Sequence, residues 1–390
     1  MRLMEKILSN DNVVEVLEYL EKKKKNTAPG VDGMTVPELR DYLRNNWRQL
    51  KPALLKGTYQ PQPVKRTEIP KDSGGMRKLG IPTVLDRFIQ QSMLQILYPV
   101  IDKDFSIHSH GFRKGHSQHM AVRESRAYMQ DGHEWIVDLD ISKFFDRVNH
   151  DILMSKLAKK IKDKAVLKLI RSYLNAGVMV DGVVVETYKG TPQGGPLSPL
   201  LSNLMLDELD KELERRGHKF VRYADDVQVY VRSERAGKRV MKSLINFLED
   251  RLKLKVNERK SAVVRIWECN YLGFSFYTNN GEVRFRLPDK SLNKIKQKIR
   301  KVTSRSNPLS IDERIKRLNE KLKGWLGYFH MADMKGKLNT LMGWMRRRLR
   351  MCILKHWKRV KTRVRKLRGF GLSNENAVAF ANSRKGYWRL

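Results

Sequence analysis

Trp135-Ile136-Val137-Asp138-Leu139-Asp140-Ile141 decides the fold: it is a short apolar strand with two carboxylates set into it. Strands of this kind are dry, so a charge on one must have a partner or a cation. Further along, the alternating stretch Lys219 to Val231 is split by Tyr223-Ala224-Asp225-Asp226, which predicts two strands joined at a turn. Adjacent carboxylates repel and raise each other's pKa unless a cation lies between them. Mg²⁺ suits that place, because it takes carboxylate oxygens together with substrate phosphates. Two such ions can stabilise the entering and departing oxygens of an in-line displacement. Asp-Asp in a turn is ordinary turn chemistry when it stands alone. Its company is what makes it specific: Asp140 on a strand, a Gln193-Gly194-Gly195-Pro196 loop and a large positive charge in the same chain.

On either side of these strands the chain reads as mixed α+β. Helices are expected over Val13 to Lys25, Val36 to Leu50, Thr83 to Tyr98, Pro199 to Leu213 and Ala236 to Leu252. Hairpins are expected around Ser73-Gly74-Gly75, around Asp181-Gly182 and at Asn279-Asn280-Gly281. Beyond Pro288 only helices are expected. Ile311, Ile315, Leu318, Leu322, Leu326 and Phe329 trace one amphipathic face, and Leu338 through Cys352 to Val360 trace another.

The chain has 390 residues and a formal net charge of +37, so an anionic partner is expected, nucleic acid before membrane. The charge is concentrated. Residues 290–390 hold 29 Lys+Arg against 5 Asp+Glu, and Arg346 to Arg368 hold twelve basic residues and no acidic one. Arg346, Arg347, Arg348 and Arg350 are therefore candidate nucleic-acid contacts. Cys269 and Cys352 are the only cysteines, too few for a disulfide framework and fitting a reducing cytosol. No apolar run approaches the roughly eighteen residues of a membrane span. His108, His110, His116 and His119 cluster, but without cysteine and at spacings that fit no common zinc site.

Asp140-Ile141-Ser142-Lys143-Phe144-Phe145, Thr191-Pro192-Gln193-Gly194-Gly195-Pro196 and Tyr223-Ala224-Asp225-Asp226 resemble successive motifs of reverse transcriptases, closely those encoded by bacterial group II introns. Ala28 to Gly33, Arg77 to Pro82, Val256 to Ser261 and Tyr271 to Phe274 extend the resemblance, which runs from about Lys25 to the end. It implies a right-hand polymerase: an N-terminal extension and fingers over 1–82, a fingers and palm core over 83–287, a helical thumb or maturase domain over 288–366, and a short segment over 367–390. It implies an RNA-directed DNA polymerase that uses dNTPs, an RNA template and a DNA or RNA primer, and that binds its intron RNA as a splicing maturase. The expected location is the bacterial cytoplasm. A host role in DNA repair or defence and a purely RNA-binding splicing cofactor are the alternatives. Many relatives run on into an endonuclease, so no DNA nicking is expected of this chain.

Carried over by position, Asp140, Asp225 and Asp226 would be the catalytic carboxylates holding two Mg²⁺, with Mn²⁺ as a substitute. Asp138 shares the face of Asp140 if the strand is regular and is read as structural or as a helper. Phe145 matches the residue beneath the incoming sugar, where a ring leaves no room for a 2′-hydroxyl. Lys71 and Arg77, six apart across a hairpin, can both reach one triphosphate, and Lys260 matches a lysine near the leaving pyrophosphate. Gln193 can bond template or nucleotide, while Gly194 lets the backbone approach a base pair. Gly273 matches the segment that grips the primer end.

Overall fold

The structure, a computed structural model, describes residues 2–24, 26–70, 74–180, 183–185, 190 and 194–383. It divides into a unit of residues 1–265 and a unit of residues 266–390. The strands of the first unit are β1 (Val64–Pro70), β2 (Met76–Ile81), β3 (Trp135–Asp140), β4 (Val178–Val180), β5 (Val183–Val185), β6 (Lys219–Tyr223), β7 (Asp226–Val231) and β8 (Ala262–Arg265). The second unit has β9 (Asn270–Tyr271), β10 (Phe274–Asn279) and β11 (Glu282–Arg286).

Strand β3 is paired along both edges, in a sheet of order β6-β7-β3-β8. Its register with β7 runs from Trp135↔Val231 to Asp140↔Asp226. Val137, Leu139, Val227 and Val229 join one core with Leu204 and Leu209 of helix Ser198–Arg215 and with Leu244 and Leu248 of helix Glu234–Asp250. A register slip of one residue would turn these side chains out of the core, so burial specifies the pairing that joins Asp140 to Asp226. On the other face helix Gln118–Gln130, which periodicity did not reveal, bonds the sheet through Ser125 Oγ and Tyr230 Oη at 2.5 Å. A second sheet has the order β2-β1-β4-β5.

The core of the first unit is continuous across residue 82. Ile7, Val16 and Leu20 share the core of Phe88 and Met93, and Asn12 Nδ2 donates to the carbonyls of Ile7 and Ser92 at 2.7 and 3.1 Å. The first unit ends at Arg265, and strands β9 to β11 lie in the second with the helices that follow.

The second unit packs helices Asp289–Val302, Ile311–Phe329 and Lys335–His356 around Ile295, Ile299, Leu318, Leu322, Leu341 and Met345. Arg314, 1% exposed, donates to the carbonyls of Val302, Ser304 and Leu309 and so satisfies the C-terminal end of the first of these helices. Two readings of periodicity are corrected here. Ile315 is exposed, although it was placed on the apolar face. The last long helix ends at His356, and Val360 begins a separate helix, Val360–Gly369. The break is held by Arg363 Nε, which donates to the Trp357 carbonyl at 2.8 Å, and by stacking of Trp357 on Phe370.

Candidate active site

The turn between β6 and β7 is the centre of the site. Tyr223 pairs with Asp226, so only Ala224 and Asp225 lie between the strands. Ala224 has φ +59°, at the turn position where glycine is usual. A buried network holds it there. Arg222 and Asp210 are both fully buried, and the guanidinium forks onto the carboxylate at 2.7 Å through Nε and 2.5 Å through Nη2. Arg222 Nη1 then donates to Asn203 Oδ1 at 3.0 Å and to the Ala224 carbonyl at 2.9 Å. Asn203 Nδ2 donates to the Gly111 carbonyl at 2.8 Å. A Cβ at Gly111 would stand 2.1 Å from the Ala224 nitrogen, so no side chain fits behind the turn. Arg222, Asp210, Asn203 and Gly111 were all missed in the sequence. The available signal was Arg222 itself, which alternates in phase with Phe220 and should have been buried.

Asp140 closes β3 opposite Asp226. Its edge toward β8 is covered by the segment 256–261: Asn257 Nδ2 donates to Asp140 Oδ2 at 2.8 Å, and the Asp140 N–H donates to Ser261 Oγ at 3.0 Å. Lys260 Nζ lies 3.7 Å from Asp140 Oδ2, with most of its side chain exposed. Asp138 accepts from Gln228 Nε2 at 3.2 Å, and Tyr230 Oη donates to Gln228 Oε1 at 2.8 Å. One sheet face thus grades from the dry Ile136 to the carboxylates at its end.

These carboxylates disturb one another. Burial, then the charges of Asp225, Asp138 and Asp140, push Asp226 up to about 7, against the opposing charge of Lys260. Asp225 is also raised, first by burial and further by Asp140, while the Arg77 guanidinium acts to lower it. Asp138 is raised by burial and by Asp140. Among the described residues no three His, Cys, Asp or Glu side chains form a complete protein cage for a metal. The donor set still fits Mg²⁺, which needs only one or two carboxylates when substrate phosphates and water complete its octahedron. A cation here would relieve the repulsion that raises Asp226.

Arg77 is exposed on β2, and its charge reaches Asp225. Phe145 is half-buried, edge-on to the buried Phe144 with ring centroids 5.3 Å apart. Gly194 has φ +137°, and a Cβ there would stand 2.4 Å from the Gly80 carbonyl oxygen. Its backbone is thus packed closely against strand β2. Lys71 and Gln193 lie outside the described residues. The histidines have a different use: His108 and His110 both bond Glu124, the latter at 2.6 Å, and Tyr128 Oη donates to it at 2.7 Å.

The remaining candidates lie in the second unit. Leu272 and Gly273 form the turn from β9 to β10, with φ +47° and +82°, and Tyr328 Oη donates to the Leu272 carbonyl at 2.6 Å. Arg346 and Arg347 are exposed, and Arg350 is half-buried. Arg348 has partners within the unit. Its guanidinium bonds Thr303 Oγ1 at 2.6 Å and the Thr303 carbonyl at 3.1 Å and lies over Trp344, so it ties two helices together.

A family model described as reverse transcriptase (RNA-dependent DNA polymerase) matches residues 69–276, and one described as group II intron, maturase-specific domain matches residues 292–370. Protein YkfC of Escherichia coli (strain K12) is 36% identical over 219 residues, 55% of this chain and 58% of that protein. The group II intron-encoded protein LtrA of Lactococcus lactis subsp. cremoris is 43% identical over 171 residues, 44% of this chain and 28% of LtrA. The COX1/OXI3 intron 2 protein of Saccharomyces cerevisiae is 29% identical over 325 residues, 68% of this chain and 38% of that protein. The chain spans less than two thirds of the length of each.

Proposed function

Since the chain belongs to the reverse transcriptase (RNA-dependent DNA polymerase) family, we propose that it extends a DNA or RNA primer with dNTPs on an RNA template. Its second unit, matched by the maturase-specific model, would bind group II intron RNA and assist its splicing. In this reading the sheet β6-β7-β3-β8 is the palm of a right-hand polymerase, and the helices from Asp289 are its thumb. The observation that carries the reading is the pairing of Asp140 with Asp226 beside a turn pinned from behind by Arg222.

Asp140, Asp225 and Asp226 would hold Mg²⁺. When bound, Mg²⁺ neutralises the triphosphate and stabilises charge on the attacking and leaving oxygens. The protein's own part is positional. Arg222 and Gly111 fix the Ala224-Asp225 backbone, and Asn257 orients the Asp140 carboxylate. Arg77 and Lys260, the one acting on Asp225 and the other beside Asp140, bring cationic groups to the phosphates. Phe145 would exclude the 2′-hydroxyl of a ribonucleotide.

Extension of a DNA primer on an RNA template, with Mg²⁺ and dNTPs, tests the proposal. Asp225→Ala should reduce the rate by more than about a thousandfold, of the order expected when metal catalysis is lost, with RNA affinity unchanged. Extension at the wild-type rate by that variant would refute it.

A further inference from the structure

Where helix Lys335–His356 ends, helices Val360–Gly369 and Asn374–Asn382 fold back beside it and leave a cavity of about 460 Å³. Its walls are aliphatic apart from three rings, Trp357, Phe370 and Phe380, and three arginines, Arg346, Arg350 and Arg363. Trp357 and Phe370 stack with centroids 6.0 Å apart and planes at 28°. Phe370 is nonetheless 70% exposed and Phe380 44%. Arg363 serves the frame, since its Nε holds the Trp357 carbonyl. Among the described residues Arg346 and Arg350 make no such bond to a carbonyl or carboxylate, and no Asp or Glu lines the cavity.

Large aromatic rings kept in water beside guanidinium groups need an occupant that is flat and apolar on its faces and anionic at its edge. A nucleotide has both properties: its base stacks on an aromatic ring, and its phosphates accept from arginine. A base-paired duplex does not, because its bases are already stacked inside the helix, and proteins meet it at phosphates and 2′-hydroxyls. An amphipathic protein helix would satisfy the walls, but it would need acidic side chains at its edge to match the arginine rim.

We propose that this cavity takes an unstacked base from a single-stranded segment of RNA, with the base on Phe370 and the flanking phosphates at Arg346 and Arg350. The proposal rests on the reading of the chain as an RNA-binding protein and adds to it a contact that duplex RNA cannot make.

The test uses the full chain with two probes, a short oligouridylate carrying one 5-iodouracil and a blunt RNA duplex of mixed sequence. Photocrosslinks should map to Phe370, Trp357 or Phe380. Phe370→Ala should weaken binding of the single strand by about 5- to 150-fold, the range for loss of one base–aromatic stack. The same variant should bind the duplex as the wild type does, which also reports that the unit is folded, and Phe370→Trp should restore the single strand. Arg350→Gln should reduce the single-strand salt slope by about 0.7, one phosphate contact. Unchanged single-strand affinity in Phe370→Ala, or crosslinks elsewhere, overturns the proposal. A wild-type chain that binds duplex and not single strand overturns it too, and leaves the reading as an RNA-binding protein standing. Binding to neither probe overturns both.

Discussion

The two units handle charge in opposite ways. In the first, carboxylates crowd at the end of a buried sheet, and a single arginine, itself wholly out of water, sets the turn that presents them. In the second, arginines and lysines are spread along helices and outnumber the acids, 29 to 5 over residues 290–390. A site that must place atoms gains from one buried and fully bonded network, and such a network fails as a whole. A surface that only attracts a polyanion works by number, and loses a little with each residue removed. The units should therefore respond differently to mutation.

The largest effect is expected at the buried pair. Arg222→Ala leaves Asp210 without its partner and should destabilise the first unit by about 3–5 kcal/mol in denaturant melts. The double variant Arg222→Met with Asp210→Leu sharpens the comparison. It should recover most of that stability while extension stays slow, because the Ala224 carbonyl has lost its donor. Full activity in the double variant would show that the network supports the fold without positioning the turn.

Next is Glu124, which belongs to the same unit but lies away from the carboxylates. Burial alone would raise it, yet hydrogen bonds from His108, His110 and Tyr128 outweigh that and hold it at about 2. His108 is raised in turn by its bond to Glu124, with Glu214 adding to and Lys219 opposing the shift. A depressed carboxyl contributes stability that is present above its ordinary value and lost as pH falls toward 2. The raised histidine contributes below its ordinary value and loses its share as pH rises through the raised one. Glu124→Gln should cost at most about 3 kcal/mol near pH 6 and should flatten the loss of stability between pH 4.5 and 2. An acid limb identical to the wild type would remove Glu124 from the account.

The basic helices should yield in smaller steps. Replacing Arg346, Arg347 and Arg350 with Gln should lower the log–log salt slope by about 0.9 per lost contact on duplex DNA, with RNA comparable, and leave the melt of the first unit unchanged. An unchanged slope would make this tract a solvated helix face. The smallest effect is expected at Phe145. Its trimming to Ala should raise the rNTP-to-dNTP ratio of kcat/KM by roughly tenfold, about 1.4 kcal/mol. A ratio that does not move would leave Phe145 as packing beside Phe144.

The same contrast governs how much could be read in the sequence. Asp140, Asp225 and Asp226 were legible because carboxylates on apolar strands need a reason, and the pairing of β3 with β7 brings two of them opposite each other. The turn at Asn279 to Gly281 was legible for a local reason: Asn280 and Gly281 both take positive φ. What supports the site was hidden, because Arg222, Asp210, Asn203 and Gly111 come from separate parts of the chain and meet only in the tertiary structure. Periodicity also ran through the break at Trp357, since the apolar spacing continues in the next helix although the chain has turned. The segment 256–261 was singled out for Lys260, while Asn257 and Ser261, which hold Asp140, were not distinguished from it.

The strand order β6-β7-β3-β8 has a consequence for synthesis on the ribosome. Strand β3 lies in the interior of its sheet, yet both of its neighbours are made later, β7 ending at Val231 and β8 at Arg265. At translation rates of about 5–20 residues per second, β3 waits on the order of 5–20 s for its first partner. Through that interval Trp135, Ile136, Val137 and Leu139 have both edges unpaired, which is the condition that invites pairing with a neighbouring nascent chain. Asp138 and Asp140 interrupt that apolar run with charge, the placing expected of gatekeepers against aggregation of the unfinished chain.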